Sequence, residues 1–202
     1  MKKIVVVIIG AVLFGSISLT GPPVAWAVFL DFVPANQTVQ LSDPVMVDVV
    51  VSGLNAGGDD SVGDFDLDVT YDASILTASG VIFGTELGDG FLTSLQSFSL
   101  ATLGVVDLAE ISFLFDLSGQ SASFTLATLS FNTVGVGTSS LTFSQSIVGD
   151  AFGIDLSPTS GTGSVTVEDN GPNPIPEPGT MLLLGTGLAG LAAWRLRRRQ
   201  AS

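Results

Sequence analysis

Between residues 28 and 169 apolar residues recur at every second position in short runs, and no run shows the 3.6-residue period of a helix. Val45, Val47, Val49 and Val51 share one parity, while Met46, Asp48, Val50 and Ser52 take the other. Phe65, Leu67, Val69 and Tyr71 oppose Asp64, Asp66, Asp68 and Thr70 in the same way. Ile111, Phe113, Phe115 and Leu117 form a third apolar parity, and Leu141 with Phe143 and Val165 with Val167 mark two shorter strands. From Phe124 to Phe131 the apolar phase shifts between Leu126 and Leu129, which predicts a β-bulge. Turn-forming clusters separate the runs: Gly53 to Gly58, Gly88-Asp89-Gly90, Ser118-Gly119-Gln120, Gly135-Val136-Gly137 and Ser157 to Gly163. Short alternating strands at this spacing predict an all-β fold, a jelly-roll-like antiparallel β-sandwich over 28–169. Of the 13 phenylalanines only Phe14 lies outside that stretch, and most of the rest are expected in the core. Phe91 and Phe98, where alternation is weak, are the ones expected to face a partner.

The two ends follow other patterns. Residues 1–27 start with Lys2 and Lys3, continue with an apolar run from Ile4 to Phe14, break at Gly21-Pro22-Pro23 and close on Ala25-Trp26-Ala27. That order is a secretory signal peptide with a small-x-small cleavage site at Ala25 and Ala27, and cleavage leaves Val28 as the new N-terminus. The apolar run is too short for a span, which needs about 20 residues. Residues 170–179 are a Pro-rich linker containing Pro176-Glu177-Pro178, extended because proline neither joins a ladder nor continues a helix. Residues 180–202 are expected to form a C-terminal transmembrane helix with an Arg-rich end, Arg195, Arg197, Arg198 and Arg199. The positive-inside bias keeps those arginines cytoplasmic and the preceding domain outside.

Composition removes most chemistries. The chain has no Cys and no His, so there is no disulfide framework, no thiol or imidazole nucleophile and no zinc site of the usual kind. All 19 acids lie between Asp31 and Glu177 and none of the six basic residues does, so that segment has a formal side-chain charge of −19. Such a surface repels nucleic acid, and no nucleic-acid partner is expected. Asp59 and Asp60, in a Gly-rich loop, are the candidate metal ligands, with calcium as the candidate ion. Asp64, Asp66 and Asp68 read instead as a solvated strand face. An acid-only glycosidase would need paired carboxyls, for which Asp107 with Glu110 or Asp116 with Glu86 are the pairs to draw. Nothing in the sequence sets them apart from surface acids, and no catalytic residue is assigned.

Two family resemblances follow from these residues. Pro176-Glu177-Pro178, a short apolar helix and an Arg-rich end at the C-terminus resemble the PEP-CTERM sorting signal. The resemblance implies processing by an exosortase near the Pro-Glu-Pro motif. It also implies an inner-membrane intermediate, then delivery to the cell surface or extracellular matrix of a Gram-negative-type bacterium. Val51-Ser52-Gly53-Leu54, the run Phe65 to Leu76 with Tyr71-Asp72, and the closing Gly163-Ser164-Val165-Thr166-Val167 resemble a cohesin domain. That resemblance implies a jelly-roll sandwich offering one sheet face to a dockerin-like protein. The expectation is therefore an exported, non-enzymatic docking or adhesion module. The alternative is a calcium-dependent carbohydrate-binding module with extracellular polysaccharide as its partner.

Overall fold

The structure is a computed structural model whose described residues are 27–55, 61–169, 171, 183–191 and 195. The expected signal peptide up to Trp26, the acidic pair Asp59 and Asp60, the Pro176-Glu177-Pro178 motif and Arg197 to Arg199 lie outside them.

Eleven strands form among the described residues: β1 (Phe29–Val33), β2 (Asn36–Gln40), β3 (Pro44–Ser52), β4 (Val62–Thr70), β5 (Leu76–Phe83), β6 (Ser94–Ser99), β7 (Val105–Ser112), β8 (Ser123–Thr133), β9 (Gly137–Asp150), β10 (Thr159–Ser160) and β11 (Gly163–Glu168). They make two sheets, ordered β10-β1-β3-β8-β5 and β2-β11-β9-β4-β7-β6. Pairing is antiparallel except where the first and last strands meet. There β1 runs parallel to β10 in one sheet, and β2 parallel to β11 in the other. The chain thus changes sheet between β1 and β2 and again between β10 and β11, so that its two terminal segments close one flank of the sandwich together.

The alternating positions build the core. Val45, Val47, Val49 and Val51 of β3 and Phe65, Leu67 and Val69 of β4 are all buried, facing each other from opposite sheets. Three aromatic pairs also bridge the layers: Phe32 stacks on Phe143 at 4.4 Å, Phe65 meets Phe83 at 6.2 Å, and Tyr71 sets its ring edge-on to Phe131 at 5.2 Å. Each such pair contributes about 0.5–1.5 kcal/mol beyond the area it buries. The bulge falls where the phase shift predicts it. Val49 pairs with Ala127 and Val50 with Thr125, leaving Leu126 as the extra residue, and both Leu126 and Ala127 are buried.

Two expectations need correction. The strand read from Ile111 to Leu117 is not there. β7 ends at Ser112, and its pairing of Leu108 with Leu67 turns Val106, Leu108 and Glu110 inward and Ile111 outward. The phenylalanines are not mostly core: Phe29, Phe91, Phe98, Phe113, Phe115 and Phe152, half of those in the domain, are exposed. The helix expected over 180–202 is described at 183–191 and at Arg195, and the rest of that segment lies outside the described residues. Among the described residues no helix is long and apolar enough to cross a membrane.

Candidate functional site

The strand directions sort the loops onto two ends. One end carries loops 41–43, 71–75, 100–104 and 133–136, and the chain leaves it after Glu168 toward the Pro-rich linker. The other end, farthest from the tail, carries residues 53–55 and 61 and loops 84–93, 113–122 and 151–158. Hydrogen bonds tie the first three of these segments together. Phe113 N–H donates to the Thr93 carbonyl at 2.7 Å, and Leu54 N–H to the Ala122 carbonyl at 3.2 Å. Gln120, itself buried, accepts from Val62 N–H at 2.8 Å and donates to the carbonyls of Val62 (2.8 Å) and Glu86 (3.3 Å).

Carboxylates then hold the individual turns. Asp89 Oδ1 accepts from the N–H groups of Phe91, Leu92 and Thr93 at 2.8 to 3.0 Å and from the Thr93 hydroxyl. These bonds hold its carboxyl well below the usual carboxylate range. Asp150 Oδ1 accepts from the N–H groups of Phe152 (2.7 Å) and Ile154 (2.8 Å). The turns so fixed carry large apolar side chains pointing into solvent: Phe91 is 84% exposed and Phe152 83%, and Leu92, Phe113, Leu114, Phe115 and Ile154 are exposed beside them. Large apolar side chains clustered at one end of a domain mark a candidate interaction surface.

The collar continues onto the outer face of the six-stranded sheet. The β4 carboxylates Asp64, Asp66 and Asp68 point outward, as alternation requires, and Asp107 of β7 pairs beside Asp68. Ile147, Ile111 and Leu95 lie in the rows of Asp66 and Asp64 at the collar end, and all three are exposed. Partial burial raises the Asp64 carboxyl, with Asp150 adding to it. Desolvation raises Asp68 as well, with help from Asp107 and Asp66. The surface is therefore apolar side chains framed by anionic charge.

The first of the carboxyl pairs does not assemble. Asp107 and Glu110 sit on opposite faces of β7, one in solvent and the other buried. Asp116 is lowered by its hydrogen bonds to Ser118, the wrong direction for a general acid. Asp59 and Asp60 lie outside the described residues, and among those described no group of three or more possible ligands is placed to hold a metal. Ala27 is exposed, whereas Val28 is buried with its carbonyl accepting from Thr159 N–H at 2.8 Å. Arg195 is described as helical and exposed. Tyr71 is half-buried on Phe131, in the core phase expected of it. Glu110 and its partner Gln96 were missed by alternation, because a buried acid is readable only together with the residue that satisfies it.

Known proteins match the chain in two separate places. Residues 174–199 match the PEP-CTERM protein-sorting motif, which marks an exported protein processed at the membrane. The fold is similar to solved cohesin modules. One is the sixth cohesin of scaffoldin B from Acetivibrio cellulolyticus, solved in complex with a mutant dockerin. It is 19% identical, covering 70% of this chain and 99% of that one, with a TM-score of 0.60. CaCohA2 from Clostridium acetobutylicum is 26% identical over 70% of this chain and 90% of its own, with a TM-score of 0.58. A non-cellulosomal cohesin from the hyperthermophilic archaeon Archaeoglobus fulgidus is 15% identical over 70% and 91%, with a TM-score of 0.56. No curated protein matches the chain in sequence. The chain is thus an exported protein with a PEP-CTERM sorting motif and a cohesin-like, all-β sandwich.

Proposed function

We propose that the mature protein is a non-catalytic docking or adhesion module of the cell surface or extracellular matrix, and that its far end holds a partner protein. The observation that carries this is the collar of seven large apolar side chains on turns that Asp89, Asp150 and Gln120 hold in place. Pre-set turns lower the ordering cost of binding, and exposed phenylalanines supply the buried area. The charge identifies the partner's chemistry. A stretch with 19 acids and no Lys, Arg or His favours an apolar patch rimmed by Lys and Arg. It also disfavours a second copy of this chain, which would bring like charges together. A dockerin-like protein is the partner that the cohesin likeness supports.

Sorting proceeds in this reading by signal-peptide cleavage after Ala27, insertion of 180–202 into the membrane with its arginines cytoplasmic, and exosortase cleavage near Pro176-Glu177-Pro178. The Pro176→Ala/Glu177→Ala variant is expected to fold normally and to accumulate unprocessed. A normal yield of processed protein from it would sink the sorting step. For docking, mature protein immobilised through its linker is expected to retain a defined cationic protein from the producer's extracellular fraction. A Phe113→Ser/Phe152→Ser variant is expected to bind that protein at least about tenfold more weakly. Equal binding by the variant would remove the far end from the interface.

A further inference from the structure

The terminal strands close one flank of the sandwich, while the other flank is open. Among the described strands β10 and β2 are edge strands as well, but the chain crosses between the sheets beside them; at the other flank β5 and β6 each have one neighbour, and residues of both line a shared cleft. Its volume is about 690 Å³, within the range of small-molecule sites. We propose that this cleft binds a short segment of a neutral oligosaccharide, independently of the protein docking argued above.

The lining is amphiphilic at short range, as a pyranose ring is, with its apolar C–H faces and its rim of hydroxyls. Phe98, half-exposed, and Ile82 supply the apolar surface; Gln96, Thr85, Ser97 and Asp89 supply hydrogen-bonding groups. The Gln96 amide is fixed from behind. Its Nε2 donates to Glu110 Oε1 at 2.9 Å, and a Cβ on Gly90 would overlap its Oε1, so the loop lies directly against it. Glu110 is 2% exposed. Burial raises its carboxyl, and Gln96 and Ser94 partly offset this by donating hydrogen bonds. A buried carboxylate costs stability and brings nothing to an apolar core. Its effect here is to orient the part-buried Gln96 amide in the cleft wall, which is what a recognition site requires of its supporting residues.

Charge and regularity narrow the ligand. The acidic domain disfavours uronates, sulfated sugars and acidic peptides alike. Strand addition by a peptide needs a regular edge. The β5 ladder shifts register between Ala78 and Gly80, and a Cβ on Gly84 would overlap the Thr125 carbonyl, so the regular edge is short.

The test titrates mature protein with cellohexaose, laminarihexaose and mannohexaose, following the Gln96 side-chain amide by NMR, with an oligogalacturonate and a (Thr-Val)₄ peptide as contrasts. At least one neutral hexasaccharide is expected to shift the Gln96 signals saturably. Phe98→Ala, a change at an exposed position that spares the fold, is expected to weaken that binding about tenfold, and Phe113→Ser to leave it unchanged. Glu110→Met, which roughly keeps the bulk and removes both acceptor oxygens, is expected to weaken binding while leaving the Phe98 effect in place. No shift with any of the three sugars, equal binding by Phe98→Ala, or shifts with the peptide alone would each overturn the proposal.

Discussion

The two ends of the sandwich use the same backbone device to opposite effect. At the tail end Asp72 accepts from the N–H and hydroxyl of Ser74, at 2.8 and 2.6 Å, and the turn it makes displays a small polar side chain. At the far end Asp89 and Asp150 make equivalent turns and display Phe91, Leu92, Phe152 and Ile154. Each end also has one buried polar side chain serving several backbone groups. Thr133 accepts from Ser42 N–H at 2.7 Å and donates to the Asp43 carbonyl at 3.1 Å, while Gln120 serves Val62 and Glu86. Backbone economy therefore does not distinguish the ends; what the turns carry does. The tail-end loops expose Leu103, Val134 and Val136 but no phenylalanine, whereas the far end exposes Phe91, Phe113, Phe115 and Phe152.

The comparison can be broken first at Gln120. Gln120→Ala leaves both backbone groups of Val62 without their side-chain partner and is expected to cost about 3 kcal/mol, seen as a lowered urea midpoint. Thr133→Val at the tail end keeps the shape and is expected to cost about 1–2 kcal/mol. If Thr133→Val proved the more costly, the far end would not be the more tightly held.

Acidity sharpens the contrast by a smaller amount. Asp64, Asp68 and Glu110 have raised carboxyls, so the folded state holds protons that the unfolded chain has released. They weaken the fold above their folded pKa values and cease to do so as pH falls through them. Asp72, Asp89 and Asp116 are lowered, so they stabilise above the ordinary carboxylate range and that contribution disappears as pH falls below it. Stability is expected to peak near about pH 5. Urea midpoints rising steadily up to pH 8 would contradict that balance. The smallest effect is on the collar itself: Phe113→Ser/Phe152→Ser should move Tm by no more than the equivalent of about 0.5 kcal/mol, since side chains already in water contribute little to folding.

Much of the sandwich is legible in the chain because alternation over a half-buried strand is a local signal. Val45 to Val51 and Phe65 to Val69 needed no knowledge of their neighbours, and the phase shift at Leu126 announced its own bulge. The run Ile111, Phe113, Phe115 shows the limit. It alternates as well as any strand, yet its pairing with β6 ends at Ser94 and Ser112, and beyond that the same residues become an exposed loop. Parity shows which residues lie together, but it cannot show whether their common face meets a core or a partner. Most of strand β9 was invisible for the opposite reason: its Ser, Thr and Gly residues carry little hydropathy contrast, and only Leu141 and Phe143 stood out. The collar was legible only at Phe91, and the cleft at Phe98, since both surfaces are assembled from loops and edges far apart in sequence.

The placement of β11 has a mechanical consequence. The linker pulls on this strand at Glu168, while the proposed partner holds the opposite end of the domain. The load therefore runs along the strand, and β11 is bonded on both sides, to β2 in parallel and to β9 in antiparallel register. Those ladders must slide and fail together, because no end is free to peel open one bond at a time. A domain hung this way is expected to resist stretching between linker and far end with a higher rupture force than stretching across its sheets. Equal forces in the two directions, measured on single molecules, would show that the terminal strands do not carry the strain.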